Sequence, residues 1–350
     1  MSLLTRYRVS GADLPFGDPL RAHGLAMEGY FWRFTDPASR RTAILLAGIN
    51  DAADGGPRWA TLGAAMWPSG AISTIAQPQG YADPDELGAR AGDAFDGSAR
   101  RVRADWTGPD GVGVHADLHL RDLRPWPRRS LGGSSIFQAM PGLNQYWHPW
   151  LLGGRADGIL RVSGDEWRLD GVHVYGEKNW GKGGFPDAWW WGQAHGFAEP
   201  EACVAFAGGL VHAGPLRTTV TALVVRLPDG TVVRLGDPVV SPVQATVDDT
   251  SWRLRGRGFG WQIDVDAAAP LADAHVLPVP LPRERRNTAG AIEHLGAALA
   301  VTVRRSGRLV WSGESRVAAL EHGGLARAEA ELRRRGRPAG ATDAAPERQT

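Results

Sequence analysis

The sequence of 350 residues predicts an all-β protein, and three observations support this prediction. Short runs of alternating apolar and polar residues recur along the chain, with Gly, Pro or Asp between them. Pro-Asp-Gly at 109–111 and at 228–230 is typical of the turns that join antiparallel strands. Only one segment is rich in helix-forming residues. The length fits two β-barrels or sandwiches better than one, although a single large sandwich stays open.

The predicted elements follow one another as paired strands. The strand–turn–strand patterns lie at 28–49, 100–123, 159–176, 221–236 and 298–320. The segment 323–336 reads GGLARAEAELRRRG, which predicts a short surface helix with a glycine at each end. Residues 337–350 are polar and rich in Ala and Pro, so we expect a disordered tail.

Composition and charge exclude several classes of protein. The formal net charge of +1 gives no strong field for nucleic acid. No apolar run approaches the roughly 18 residues that span a bilayer, and the N-terminal segment lacks the long apolar stretch that is typical of a signal peptide. We therefore expect a cytoplasmic protein without a nucleic-acid partner. Peripheral, transient contact with a membrane to collect substrate remains open, and the oligomeric state is not predicted.

The sequence offers no recognisable cofactor or metal motif. G-x-S-x-G and P-loop patterns are absent, and Cys203 is the only cysteine, so we expect it to be a buried apolar side chain. His115, Asp117 and His119 share one strand face, but the outer pair would lie about 13 Å apart, too wide for shared coordination. We expect a solvated face there, no metal and no cofactor.

The stretch 175–197 combines few charges with a large aromatic surface. It holds four of the 15 tryptophans and both lysines of the chain, Lys178 and Lys182. On two flat strands, alternate residues would share a face; the sets are Trp167, Leu169, Gly171, His173, Tyr175 and Glu177, and Trp189, Trp191, Gln193 and His195. An aromatic cavity with a few polar groups is the favoured interpretation, and a wide aromatic core with a structural salt bridge is the alternative.

Glu177 is the candidate acid of this cavity. A desolvated, unpaired carboxyl has a raised pKa and holds a proton at neutral pH. Indole faces beside it would stabilise a carbocation through cation–π attraction. Such a site can protonate an alkene and shelter the cation. Asp187 is the rival acid, because it directly follows the loop and lies beside the tryptophan run.

Four motifs together resemble the tocopherol cyclase family: EGYFWRF at 28–34, HPWLLGG at 148–154, EKNWGKGGFPDAWWWGQAHGF at 177–197 and AALEHGG at 318–324. Residues 158–181 are also similar to the more distant carotenoid hydratase and lipocalin-like cyclase superfamily. The resemblance implies two tandem lipocalin-like (calycin-type) antiparallel β-barrels. The implied domains are 1–182 and 183–324, followed by the helix and tail at 325–350.

The family activity implied is the cofactor-free cyclisation of a prenylated, phytyl-type quinol to a chromanol. The expected catalytic residues are Glu177, Lys178, Asn179 and Asp187. The expected substrate-binding residues are Glu28, Tyr30, His148, His173, Tyr175, Trp180, Phe185, Trp189, Trp191 and Gln193. The region between the first motif and His148 shows no family pattern, so the tail of the substrate is not predicted. An isoprenoid alkene hydratase and a non-catalytic carrier of a hydrophobic ligand are the alternatives.

Overall fold

The computed structural model describes residues 26–337, apart from 52–55, 84–85, 128–129, 140–142, 182–184 and 214–215. Within these residues the chain forms 22 β-strands and one α-helix, so the predicted all-β class is confirmed. The strands form two antiparallel sheets, one on each side of residues 182–188. Because each sheet also has an apolar core of its own, the two sheets are not the two layers of a single sandwich.

The first sheet has 12 strands and contains the N-terminal half of the chain. Its strands are β1 Met27–Asp36, β2 Arg41–Asn50, β3 Trp59–Trp67, β4 Ile72–Gln77, β5 Tyr81–Ala82, β6 Gly88–Ala91, β7 Phe95–Ser98, β8 Arg101–Thr107, β9 Gly113–Arg121, β10 Gln145–Leu151, β11 Arg155–Val162 and β12 Asp165–Gly181. Their order is β4-β3-β2-β1-β12-β11-β9-β8-β7-β6-β5, and β10 pairs with the C-terminal part of β12.

The second sheet has ten strands. They are β13 Trp189–Ala194, β14 Cys203–Ala213, β15 Leu216–Arg226, β16 Val232–Leu235, β17 Val243–Val247, β18 Ser251–Gly258, β19 Trp261–Ala268, β20 His275–Leu281, β21 Arg286–Arg305 and β22 Arg308–Gly323. Their order is β16-β15-β14-β13-β22-β21-β19-β18-β17, and β20 pairs with β21.

Both sheets follow the same plan, in which the first strand of the unit pairs with its last strand. β1 pairs with β12, and β13 pairs with β22. Within the described residues no pairing joins the two ends of either strand order, so neither sheet is a hydrogen-bonded closed barrel. The architecture is thus two open, lipocalin-like sheets, each wrapped around its own side chains.

Four apolar clusters lie among the described residues, and the three largest divide most of the interior. One lies within the first sheet and includes Trp32 and Phe95; a second lies within the second sheet and includes Phe206 and Trp252. The third cluster takes residues from both sheets and includes the tryptophans of the site. Because the cores of the two sheets are filled, the space for a ligand lies between the sheets.

Polar bonds fix the two sheets to each other. The buried Arg33 donates from Nη1 to Oε1 of Gln193 at 2.6 Å and from Nη2 to the carbonyl of Val317. The hydroxyl of Thr42 donates to the carbonyl of Leu295 at 2.7 Å. These bonds satisfy groups whose burial would otherwise cost free energy, so they favour one relative position of the sheets.

A β-bulge in β12 overturns the prediction that its odd residues share one face. Ala156 pairs with Val172 and Gly158 pairs with Leu169, so β12 carries one extra residue there. Gly171 at this point has φ +61°, a left-handed conformation that glycine adopts without a Cβ clash. The bulge reverses the alternation: Leu169 packs in the first core, whereas Tyr175 packs between the sheets.

The C-terminal helix α1 spans Leu325–Arg334, as the sequence predicts, and its buried face includes Ala328 and Leu332. Arg335 anchors its end by donating to the carbonyl of Ala274 at 2.7 Å. The expected disordered tail lies outside the described residues from 338 onwards. Within the described chain, no helix has the length and hydrophobicity that crossing a bilayer requires.

Candidate active site

A cavity of about 600 Å³ opens between the two sheets. The first sheet contributes β1, β2, β3, β10 and β12, and the second contributes strands from β13 onwards. Its wall is mainly apolar and aromatic, as is usual for small-molecule sites. Representative lining residues are Tyr30, Phe31, Leu46, Tyr146, Trp147, Glu177, Asn179, Phe185, Trp189, Trp191, Leu277, Val279 and Glu321.

Glu177 lies in the wall of this cavity and is only 6% exposed. It follows the bulge on β12, opposite Phe31 of β1. Three donors bind the same carboxyl oxygen, Oε2: the hydroxyl of Tyr175 at 2.7 Å and the indole Nε1 groups of Trp147 at 2.8 Å and Trp191 at 2.7 Å. Among the described residues no hydrogen bond reaches Oε1.

Burial raises the pKa of Glu177 from 4.5 to about 7. The three hydrogen bonds favour the anion and oppose this rise, but desolvation outweighs them. No lysine or arginine of the described chain forms an ion pair with the carboxyl. Because donors occupy Oε2, the proton of the neutral form must sit on Oε1. The geometry thus holds a neutral acid ready to donate and prepares bonds for its anion.

The tryptophan run supplies part of this arrangement. Trp189 and Trp191 pack in the cluster between the sheets and line the cavity. Trp190 also lines part of the cavity, packs against the core of the second sheet and donates to the hydroxyl of Thr221 at 3.1 Å. Phe31 packs edge-on against Trp191, with ring centroids 5.2 Å apart. The predicted aromatic cavity therefore has indoles that both hold the acid and line the space beside it.

A second carboxyl, that of Glu321, also lines the cavity. Its Oε1 accepts the indole N–H of Trp189. On the neighbouring strand β21, Glu293 lies directly opposite and is fully buried. Burial raises the pKa of Glu321 to about 7 and that of Glu293 well above its usual range. Because the two carboxyls face each other across the β21–β22 pair, the charge of Glu321 raises the pKa of Glu293, and the more deeply buried Glu293 is the one that stays neutral.

Several residues expected from the sequence do meet at the cavity. Asn179, Tyr30, Phe185, Trp189 and Trp191 line it. The amide oxygen of Asn179 is buried and has no hydrogen-bond partner among the described residues. Tyr175 lies behind the wall, where its hydroxyl binds Glu177.

Lys178, one of the expected catalytic residues, does not line the cavity. Lys178 is completely buried on the opposite face of β12, and its Nζ lies 2.8 Å from Oε2 of Glu28. The ammonium also lies over the ring of Tyr30, 4.8 Å from its centroid. Neither Lys178 nor Glu28 lines the cavity. The cause is strand alternation: adjacent residues point to opposite faces of a sheet, so the side chain of Lys178 lies on the face opposite that of Glu177.

Four other expected contacts lie away from the cavity wall. Trp180 stacks on Tyr146 with centroids 5.5 Å apart. His148 is fully buried; its Nδ1 accepts the N–H of Gly133 at 3.1 Å, and burial lowers its pKa to about 3. Gln193 binds Arg33. His173 stacks on His195 in a separate polar pocket of about 90 Å³.

Asp187 is exposed and does not line the cavity. Glu177 is therefore the acid that the geometry favours. Lys182 lies outside the described residues, so the structure describes only one of the two lysines.

The His115, Asp117 and His119 face is solvated, as expected. Asp117 binds Arg101 at 2.9 Å, and His115 lies 3.2 Å from Asp105. In the part of the chain that the structure describes, no cluster of His, Cys, Asp or Glu has a metal-binding arrangement. Cys203 is a free, buried thiol, and burial raises its pKa to about 12.

Sequence reasoning missed Trp147, Glu293 and Glu321. Trp147 precedes the HPWLLGG motif by one residue, and Glu321 lies within AALEHGG. A charged residue in an otherwise apolar motif was the available signal for Glu321. For Glu293 only the sequence AIEHL was available, where one acid interrupts a buried strand.

The fold and the site define an all-β protein with an apolar ligand cavity between two sheets and a neutralised acid in its wall. The family model described as tocopherol cyclase-like matches residues 127–324, which is more than half of the chain. The chain belongs to the tocopherol cyclase-like family. The matched region contains Glu177, the tryptophan run and Glu321.

Solved structures with the same fold differ strongly in sequence. Kievitone hydratase from Nectria haematococca is 12% identical, with a TM-score of 0.53 over 89% of this chain and 94% of that one. The protein CghA, solved with Sch210972, is 13% identical, with a TM-score of 0.54 over 85% and 88% of the two chains. A search of curated protein sequences gives no significant match.

Proposed function

We propose that the protein is an enzyme that cyclises a prenylated quinol to a chromanol, with Glu177 as the proton donor. One observation carries the proposal: a carboxyl with a pKa of about 7 faces an aromatic cavity of about 600 Å³ and has three donors waiting for its anion. Membership of the tocopherol cyclase-like family supports the reaction class.

In the first step, the proton on Oε1 of Glu177 moves to the less substituted carbon of the substrate alkene. The electron pair of the double bond forms the new C–H bond, and a tertiary cation remains. Tyr175, Trp147 and Trp191 then stabilise the new carboxylate through Oε2. The faces of the nearby aromatic rings favour the cation.

In the second step, the phenol oxygen of the quinol attacks the tertiary cation and forms the C–O bond of the chroman ring. The phenol proton leaves, so substrate and product have the same composition and no redox cofactor takes part. The apolar wall keeps bulk water from the cation, which would otherwise capture it.

The placement of Glu177 argues against a simple carrier. A carrier of a hydrophobic ligand needs apolar walls, whereas a buried carboxyl without a cation raises the cost of folding. An exposed Glu177, or one bound to an arginine, would have favoured the carrier. Neither condition holds among the described residues.

Hydration of an alkene is the second candidate function. Asn179 adds a polar amide to the otherwise mainly apolar cavity wall, and a water molecule that enters the cavity can contact this side chain. A water held there would attack the same cation. One of the solved structures with this fold is a hydratase, which supports this second candidate.

We propose that the substrate is collected from a membrane surface. Val239 is 90% exposed and Val240 is 56% exposed, and they follow Pro238 of the cavity wall. Ile136, 55% exposed, precedes the lining residue Phe137. Arg234 joins the two segments by donating to the carbonyl of Gly133 at 3.0 Å. These exposed apolar side chains therefore lie where the cavity wall reaches the surface.

The experiment that tests this function is incubation with 2,3-dimethyl-6-phytylhydroquinone and shorter prenyl quinols, followed by mass analysis under anaerobic conditions. A cyclised product keeps the mass of the substrate but elutes differently. Hydration adds the mass of one water. Binding without any product, seen as quenched tryptophan fluorescence, would identify a carrier and contradict the proposal.

A further inference from the structure

The wall of the cavity contains two carboxyls, and the reaction proposed above uses only one of them. Trp191 binds Glu177 through its indole N–H, and Trp189 binds Glu321 in the same way. The two indoles come from alternate residues of one strand. The tryptophan run therefore binds two carboxyls of the cavity wall: Glu177 of β12, in the first sheet, and Glu321 of β22, in the second sheet.

The second carboxyl is close enough to the first to interact with it. Glu321 is the β-pairing partner of Trp191, whose indole holds Glu177. The charge of Glu321 raises the pKa of Glu177, and the charge of Glu177 raises that of Glu293. A ligand in the cavity therefore contacts two carboxyls whose charges depend on each other.

The surroundings of Glu293 favour its neutral, protonated form. It is fully buried, and no N–H or O–H donor among the described residues binds either of its oxygens. The nearby buried cation, Arg33, uses its guanidinium for Thr35, Gln193 and two backbone carbonyls. A neutral Glu293 can instead donate to Glu321, which stabilises Glu321 as the anion.

We infer that Glu321 is the general base that accepts the phenol proton during ring closure, with Glu293 as a positioning residue behind it. This inference rests on the proposed cyclisation. Glu177 gives its proton to the alkene carbon, the phenol oxygen bonds to the tertiary cation, and the phenol proton passes to the carboxylate of Glu321. The proton then returns from Glu321 to the carboxylate of Glu177, so the cycle consumes no proton.

The assignment of acid and base follows from the hydrogen bonds. Glu177 has every donor on one oxygen and leaves the other for its own proton. Glu321 accepts the indole N–H of Trp189, and a neutral Glu293 on the neighbouring strand can add a second donor, so both neighbours favour the anion of Glu321. At neutral pH the cavity therefore presents one acid and one base to the substrate.

Turnover in D2O separates the two carboxyls. Wild-type protein should give a chromanol with one carbon-bound deuterium. Glu321→Gln keeps an acceptor for Trp189 but removes the base. It should slow ring closure by roughly 100-fold, while the cation still forms and reverts, so that deuterium appears in recovered substrate alkene or its positional isomers. Glu177→Gln should stop both deuterium uptake and closure.

A matched control and a second variant complete the test. Glu314→Gln changes an exposed acid on the same strand and should cyclise like wild type. If Glu321→Gln does not fold, Glu321→Ala with added formate should recover closure, because formate can occupy the vacated base position. Cyclisation by Glu321→Gln at the wild-type rate would overturn the inference and leave the proposed function standing. Deuterium uptake lost together with closure in Glu321→Gln, or no formate rescue, would also overturn it. No cyclisation by wild type would instead overturn the proposed function.

Discussion

At the scale of single residues, the site depends on how a buried carboxyl is solvated by the protein. Glu177 loses water, which raises its pKa, and gains three donors, which lower it. The value of about 7 that results suits a general acid at neutral pH. The sequence predicted the burial of Glu177 from its aromatic neighbours. It did not predict Trp147 as a donor, because that contact joins residues 30 positions apart through the pairing of β10 with β12.

The pH dependence of turnover should report this pKa. Only protonated Glu177 can donate, so kcat/KM should fall about tenfold per pH unit above about pH 7. The carboxyl of Glu321 and the hydroxyl of Tyr175 are the titratable groups facing it. The check is a rate profile with the prenyl quinol under anaerobic conditions. A constant rate up to about pH 9 would exclude a group of this pKa as the donor.

The same pKa makes the fold less stable at higher pH. Folded Glu177 has a pKa of about 7, above the ordinary 4.5, so the folded state binds more protons between these values. Stability should therefore fall as pH rises through this window. Glu177→Gln removes the titration. The free energy of unfolding of this variant, relative to that of wild type, should therefore rise by roughly 2 kcal/mol from about pH 5 to about pH 8. Urea unfolding of both proteins measures it; an advantage independent of pH would contradict it.

At the scale of secondary-structure elements, local patterns predicted the hairpins, whereas the closing strands depended on distant parts of the chain. The turn at 109–111 joins β8 to β9 as its Pro-Asp-Gly indicates. The pairing of β1 with β12 joins segments about 150 residues apart, and no local signal specifies it. The bulge at Gly171 was likewise not predicted. Its one extra residue reverses which side chains of β12 face the second sheet.

Gly323 tests how closely β22 and the tryptophan run must approach. Its partner in β13 is Trp189, and a Cβ at Gly323 would lie 1.8 Å from the indole. Gly323→Ala should displace Trp189 from Glu321, lower stability by about 1–3 kcal/mol and reduce turnover. Gly113→Ala is the control, because a Cβ there meets no atom within 4 Å. Equal unfolding midpoints for the two variants would contradict this role of Gly323.

At the scale of the whole molecule, two filled sheets leave one apolar space between them. The sequence predicted two all-β units and an aromatic site. It did not place that site between the sheets, because the placement depends on contacts such as Arg33 with Gln193 across the interface. The resemblance of the motifs to a known family carried more of the functional interpretation than periodicity did. It also favoured Lys178, which the structure instead pairs with Glu28.

The exposed side chains of Val239 and Val240 beside the cavity should bind membranes. The double change Val239→Asp and Val240→Asp should weaken binding to phosphatidylcholine vesicles by about tenfold or more, since each buried valine contributes roughly 1.5 kcal/mol. The control changes Leu309 and Val310 to Asp. These residues are also exposed, but they lie at the N-terminal end of β22 and do not line the cavity. Vesicle sedimentation measures both. Equal loss in the two double variants would refute a specific membrane-facing site.

The central claim is that Glu177 is the acid of an enzyme and not a part of a binding protein. Its most direct test is the rate of chromanol formation by Glu177→Gln beside the quenching of tryptophan fluorescence by the same quinol. Gln keeps the shape and the acceptor for Tyr175, Trp147 and Trp191 but has no proton to give. The account predicts a loss of roughly 100-fold or more in turnover, with quenching nearly unchanged, and near-normal turnover for the exposed control Asp187→Asn. Normal turnover by Glu177→Gln would contradict it: an inactive Asp187→Asn would then identify Asp187 as the acid, and activity in both variants would place the acid outside this stretch.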